Sequence, residues 1–149
     1  MSLKVGEKAP LFDLPSTDGK IFSLKEHLRK PLILYFYPRD FTAGCIKEAC
    51  SFRDQWNTFS DLNLDILGIS TDTIERHHQF REHFKIPFHL LSDPQGITCK
   101  LYSAWIPFLN MTKRVTYVLD KDLTISGAFS SMIQAKKHVE FALGIFEGE

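Results

Sequence analysis

The strongest constraint on the fold is the run Leu32-Ile33-Leu34-Tyr35-Phe36-Tyr37, which is apolar or aromatic throughout and closes on Pro38. A half-buried strand alternates polar and apolar positions. A run without alternation therefore predicts a strand covered on both faces, the centre of a layered sheet. Proline cannot donate to the ladder and ends the strand. Just beyond it the period changes: Cys45, Ala49, Phe52, Trp56 and Phe59 recur at spacings of three and four, which predicts one helix from about Thr42 to Phe59.

The remaining segments extend this strand–helix alternation. Ser16-Thr17-Asp18-Gly19 is a turn between Phe12 and Phe22, which predicts a hairpin, followed by a short helical piece near Ser23–Leu28. Leu64–Ile69 reads as a second strand, Thr73–Lys85 as a charged surface helix, and Phe88–Leu91 as a short strand closed by Asp93-Pro94. Gln95–Trp105 reads as helical. Val115–Leu119 and Leu123–Phe129 read as strands joined at Asp120-Lys121-Asp122, and Gln134–Phe146 as a final helix with one apolar face. That order points to an α/β fold with a mixed central sheet flanked by helices and an N-terminal hairpin extension. No repeat or linker-like stretch divides the chain. Its 149 residues are read as one domain over residues 1–149, a size that buries roughly 68–70% of the unfolded surface without a staple.

Composition narrows the function classes. Eighteen basic residues balance eighteen acidic ones, so no net field attracts a polyanion or an anionic membrane, and neither nucleic acid nor membrane is an expected partner. The longest apolar run, Pro31–Pro38, is too short to span a bilayer. The first twenty residues lack a signal-peptide core, so a cytoplasmic setting is expected. Three cysteines in a reducing compartment argue against a disulfide framework and leave catalytic, redox or buried thiols. Cys45 and Cys50 have a spacing seen among zinc ligands. Only Cys99 and scattered histidines could complete four ligands, so no metal is expected. His77, His78 and His83 read as solvated surface residues. No phosphate-binding glycine loop, nucleophile-elbow serine or His-Glu-x-x-His pattern occurs.

The chemistry concentrates at one junction, Pro38-Arg39-Asp40-Phe41-Thr42-Ala43-Gly44-Cys45. It joins the buried strand to the first turn of the long helix, where unpaired N–H groups and the positive end of the helix dipole face outward. Helix starts and nearby cations lower a thiol pKa from about 8.5 into the range of roughly 3.5–7.5, and the thiolate is the nucleophile. On position alone Cys45 reads equally as a small buried apolar residue, Thr42 as an ordinary helix cap, and Arg114 as a strand-end surface cation. Phe108-Leu109, in a predicted loop, reads as an association patch or as core, with core favoured.

The run Tyr35-Phe36-Tyr37-Pro38, with Thr42-Ala43-Gly44-Cys45-Ile46-Lys47-Glu48-Ala49-Cys50 and Phe52-Arg53-Asp54, resembles the peroxiredoxins. Within them it is most similar to the peroxiredoxin Q group, also called bacterioferritin comigratory protein. The likeness continues through Ser92-Asp93-Pro94-Gln95-Gly96 and Arg114–Asp120, so it covers nearly the whole chain. It implies a thioredoxin-like fold and a thiol peroxidase that reduces hydrogen peroxide and organic hydroperoxides without a cofactor. By the resemblance, Cys45 is the peroxidatic nucleophile, Thr42 and Arg114 bind and polarise the peroxide, and Pro38 shields the sulfur. Cys50 resolves the sulfenic acid into an intramolecular disulfide, which thioredoxin or a similar dithiol reduces; Cys99 is the other candidate for that role. A monomer or weak dimer is expected. One departure stands out: Ala43 occupies a position where the family often has proline. Two other functions fit the same fold, a non-enzymatic peroxide sensor and a thiol–disulfide oxidoreductase, although the second usually uses Cys-x-x-Cys and this chain has none.

Overall fold

The computed structural model describes residues 2–27 and 30–147. Its elements run β1 (Asp13–Pro15), β2 (Ile21–Ser23), a 3-10 turn (Leu24–Glu26), β3 (Leu32–Phe36), α1 (Ala43–Asp54), α2 (Trp56–Asp61), β4 (Asp65–Ser70), α3 (Ile74–His83) and β5 (His89–Ser92). They continue with α4 (Ile97–Leu101), β6 (Trp105–Ile106), β7 (Met111–Thr112), β8 (Val115–Leu119), β9 (Ile125–Ser130) and α5 (Ala135–Glu147). The end of the short helical piece expected at Leu28 lies outside the described residues.

The non-alternating run becomes the middle strand of a five-stranded sheet ordered β5-β4-β3-β8-β9. β3 pairs parallel with β4 and antiparallel with β8, so the sheet is mixed as expected. Both faces of β3 are covered. Leu32, Leu34 and Phe36 enter a core with Tyr102, Tyr117 and Cys99 beneath the N-terminal hairpin and α4. Ile33, Tyr35 and Tyr37 enter the opposite core with Cys45, Ala49, Phe52, Phe80, Val139 and Ala142 from α1, α3 and α5. Tyr37 adds one more ladder bond, its N–H donating to Ile69 O at 3.1 Å, before Pro38 stops the strand. Among the described residues no helix is long and apolar enough to cross a membrane.

Four local expectations need correction. The single helix over Thr42–Phe59 is broken at Gln55 (φ −100°, ψ 10°), and α2 restarts at Trp56. The break keeps the three-and-four spacing intact, so periodicity cannot register it. The helix expected over Gln95–Trp105 ends at Leu101; Ser103 turns back with φ 55°, and Trp105 instead pairs with Thr112 in the β6–β7 hairpin. Phe108 and Leu109 form the tip of that hairpin and are 98% and 65% exposed, not core. Leu123 lies in the turn before β9, with φ 64°, rather than opening the strand.

Candidate active site

The strand-to-helix loop is pinned from below. The Tyr37 hydroxyl donates to Asp40 Oδ1 at 2.6 Å, and the Asp40 N–H donates to Asp72 Oδ2 at 2.7 Å. His77 donates from Nε2 to Leu91 O at 2.9 Å, because a carbonyl can only accept, which turns Nδ1 toward Asp40 Oδ2 with a proton between them. His77 is fully buried, which corrects its reading as a surface residue. Asp40, Asp72 and His77 each bring one ligand-type atom within 4.8 Å of the others. Those atoms are already committed to one another and to Tyr37 and Ser70. Phe41 follows in the left-handed region at φ 65°, a conformation that costs about 1–3 kcal/mol in a non-glycine residue. Its ring is held by Phe80 at 5.2 Å and by the Arg76 guanidinium at 4.9 Å. These contacts aim the chain so that α1 begins over the end of β3.

Thr42 is the capping residue of α1, in extended conformation (φ −93°, ψ 149°), and its O accepts the first helical bond from Ile46 N–H at 2.8 Å. Its side chain does not cap. The hydroxyl donates to Arg39 O at 2.8 Å and is solvent-exposed, leaving its lone pairs free. Pro38 is half-buried beside this turn. Cys45, in the first turn, is 1% exposed. No acidic side chain shares the first turn of α1, so the dipole's positive end faces the cysteine sulfur without competition.

Arg114, immediately before β8, is 4% exposed and therefore not a surface cation. Its guanidinium divides its donors: Nη2 to Cys45 Sγ at 3.3 Å, Nη1 to Glu48 Oε1 at 2.6 Å and Nε to Met132 O at 3.2 Å. The guanidinium lies so close to Gly44 that a Cβ there would stand 2.9 Å from Nη2. Glycine in the Thr-Ala-Gly-Cys turn is thus required by this approach rather than by backbone conformation. Burial lowers the Arg114 pKa, but the Glu48 and Cys45 charges outweigh it and raise the pKa overall, so the group stays cationic. Burial also pushes the Glu48 carboxyl up to about 8, against the pull of Arg114.

Sequence reasoning missed Glu48, although it stands three residues after Cys45, a spacing that puts both on one helix face. It also missed Met132 and His138, for which no sequence signal exists. His138 on α5 is fully buried and lies 3.6 Å from Glu48 Oε2 through Nδ1.

The other two cysteines differ sharply. Cys50 is half-buried on α1, and burial raises its thiol pKa. Cys99 lies in the core across the sheet from Cys45. Burial and then the Asp93 carboxylate push its thiol far up. A bond between Cys45 and Cys99, or a metal shared by all three thiols, would have to cross the central sheet. A fixed donor on a thiol at a helix start, backed by a buried carboxylate, suits attack by sulfur on a polarised bond.

The sequence pattern of the AhpC/TSA family matches residues 5–128. The chain belongs to this family, the peroxiredoxins. A putative peroxiredoxin bcp of Coxiella burnetii is 38% identical over 150 residues, covering 97% of this chain and 99% of that protein. The chloroplastic peroxiredoxin Q of Sedum lineare is 36% identical over 146 residues, covering 95% and 77%. Peroxidoxin BcpB from Mycobacterium tuberculosis, known as a crystal structure, superposes with a TM-score of 0.91 at 33% identity, covering 98% of this chain and 97% of that one. The peroxiredoxin fold and a thiol peroxidase activity follow, with peroxide as substrate class and a thioredoxin-type dithiol as reductant.

Proposed function

We propose that Cys45 is the nucleophile of this thiol peroxidase and that Arg114 and Thr42 bind and polarise the peroxide, with Pro38 shielding the sulfur. The observation that carries this reading is the Arg114 Nη2 donor 3.3 Å from Cys45 Sγ at the start of α1. Attack of the thiolate on the O–O bond moves negative charge onto the departing oxygen. Arg114 and the helix-start N–H groups are fixed donors around that charge, and such preorganisation favours the transition state over the ground state. The Thr42 hydroxyl, with its proton on Arg39 O, offers its lone pairs to the peroxide O–H.

Cys45 becomes a sulfenic acid, and Cys50 condenses with it to an intramolecular disulfide and water. A thioredoxin-type dithiol then restores both thiols; hydrogen peroxide and alkyl hydroperoxides are the substrates. Cys50 is the resolving thiol rather than Cys99, because Cys50 shares the helix with Cys45 while Cys99 lies beyond the sheet. The cycle closes within one chain, which suits a monomer or weak dimer. Its need for a dithiol suits the cytoplasm.

Peroxide consumption with a thioredoxin system tests the assignment. Cys45→Ser should abolish turnover and Cys99→Ser should keep most of it. Retained turnover in the Cys45 variant, or a Cys45–Cys99 linkage in the mass spectrum of the oxidised protein, refutes it.

A further inference from the structure

Behind Arg114 the buried charges do not close. Glu48 Oε1 is bonded to Arg114, but Oε2 is buried with no hydrogen-bond partner. His138 Nδ1 lies 3.6 Å from it. His138 Nε2 sits 2.8 Å from Ser131 O, so its proton is committed there. Nδ1 of the neutral ring is therefore an acceptor, 2.8 Å from the Thr116 hydroxyl. Burial also pushes His138 down to about 4, so the ring does not charge on its own near neutrality. Two acceptors thus face each other in a buried site with no proton between them, and an unmet buried acceptor is costly.

The groups around this gap are few. Arg114 comes from the β7–β8 junction, Cys45 from α1 and His138 from α5. Tyr35 comes from β3, and burial raises its pKa far enough to keep the phenol neutral. With Cys45 as a thiolate and Glu48 ionised, two anions surround one guanidinium. One added proton makes the cluster neutral.

We propose that Glu48 and His138 form a proton-holding pair, which carries one proton between Glu48 Oε2 and His138 Nδ1 while Cys45 is a thiolate and releases it when the sulfur is oxidised. The inference rests on Cys45 being the peroxide-reducing nucleophile. In the oxidation step the thiolate pair forms the S–O bond, the O–O bond breaks, sulfur loses two electrons, and the departing oxygen gains a negative charge and takes up one proton. Once sulfur is a neutral sulfenic acid, Glu48 alone balances Arg114, so the pair gives up its proton as the departing oxygen takes one. Condensation with Cys50 forms a disulfide and water with no change in proton count. His138 and Thr116 act here as positioning residues, since neither touches the sulfur.

The test counts protons. Fully reduced protein near pH 7, in a weakly buffered indicator solution, receives one equivalent of hydrogen peroxide. Thiolate is counted beforehand by absorbance at 240 nm, and thiol loss is followed by mass spectrometry. The wild type should begin as thiolate and take up almost no protons per peroxide. In Glu48→Gln, which carries no ionisable group, and in His138→Phe, which offers no acceptor, uptake should rise to about one proton per thiolate oxidised. His138→Gln, whose amide can donate to Ser131 and accept from Glu48, should restore the low uptake. A histidine with only a structural role would change stability and rate but leave the proton count alone. Uptake of a full proton in the wild type, equal uptake in wild type and Glu48→Gln, or no thiolate at the outset overturns the pair. A Cys45 left unoxidised overturns the nucleophile assignment itself, a different and separately visible failure.

Discussion

Replacing Ala43 with proline probes how the disulfide forms. Cys45 and Cys50 both lie within the intact helix α1, Ala43–Asp54. Five residues of regular helix separate two Cα atoms by roughly 8.6 Å on different faces, whereas a disulfide tolerates at most about 6.8 Å. On the proposed Cys45–Cys50 pairing part of α1 has to unwind after Cys45 is oxidised, and the contacts decide which part. Moving the second half would pull Phe52, fully buried and stacked on Tyr35 at 4.8 Å, out of the core. That exposure costs about 1.5–3 kcal/mol. It would also separate Glu48 from Arg114, and breaking such a buried pair costs roughly 3–5 kcal/mol. The first turn holds less: Ala43 is exposed, Gly44 has no side chain, and the Arg114 bond to Cys45 changes partner chemistry once the sulfur is oxidised.

Ala43 is the first helical residue, where a missing N–H removes no helical bond, and Thr42 already has the extended conformation that a following proline demands. Ala43→Pro should therefore leave the folded site unstrained and restrict only the unwound segment. Such substitutions stabilise the folded form by about 0.4–1 kcal/mol, which corresponds to disulfide formation slowed by about two- to fivefold. Rapid acid quench with mass spectrometry separates sulfenic acid from disulfide over time, and sulfinic acid at excess peroxide should increase in step. An unchanged resolution rate, with normal first oxidation, would refute unwinding from the first turn.

Gly44→Ala should place a methyl group 2.9 Å from Arg114 Nη2 and push the guanidinium off the sulfur. Sulfenic acid formation should slow while the melting temperature holds or rises, since alanine is favoured over glycine in a helix by about 1 kcal/mol; stopped-flow oxidation and thermal melts check both halves. The Glu48–His138 pair sets a pH dependence of stability, because burial raises Glu48 to about 8 and lowers His138 from 6.5 to about 4 in the folded protein. Between about pH 6.5 and about 8 the folded pair holds a proton that the unfolded chain lacks, so stability is lost as pH rises through that window, by up to about 2 kcal/mol; below about 6.5 the unfolded His138 binds a proton as well and the two contributions cancel. Denaturant titrations from about pH 6 to about 9 should show this alkaline loss, and Glu48→Gln should remove it.

The sequence alone determined the sheet's centre, the helix carrying Cys45 and the family, because these are local or composed of contiguous motifs. The unbroken, six-residue Leu32–Tyr37 run ended by Pro38 suits a strand buried on both faces, and the structure covers it with two separate cores. The α/β order and the N-terminal hairpin were legible for the same reason. What remained for the tertiary structure was every fact that depends on which distant elements meet. His77 looked solvated on a charged helix, yet the Asp40 carboxylate and the Leu91 carbonyl bring it fully inside. Arg114 looked like a surface cation until Cys45 and Glu48 supplied the acceptors that make burying a guanidinium tolerable. Phe108 and Leu109 looked like core because they are apolar, but a hairpin tip has nothing above it to pack against. Cys99 could be ranked against Cys50 by spacing, and only the sheet between the two cores separates it physically from Cys45. The Glu48–His138 contact joins α1 to α5 across most of the chain. Periodicity reports which face of an element is buried. It carries no information on which partner waits there, and for a polar group the partner decides whether burial is possible at all.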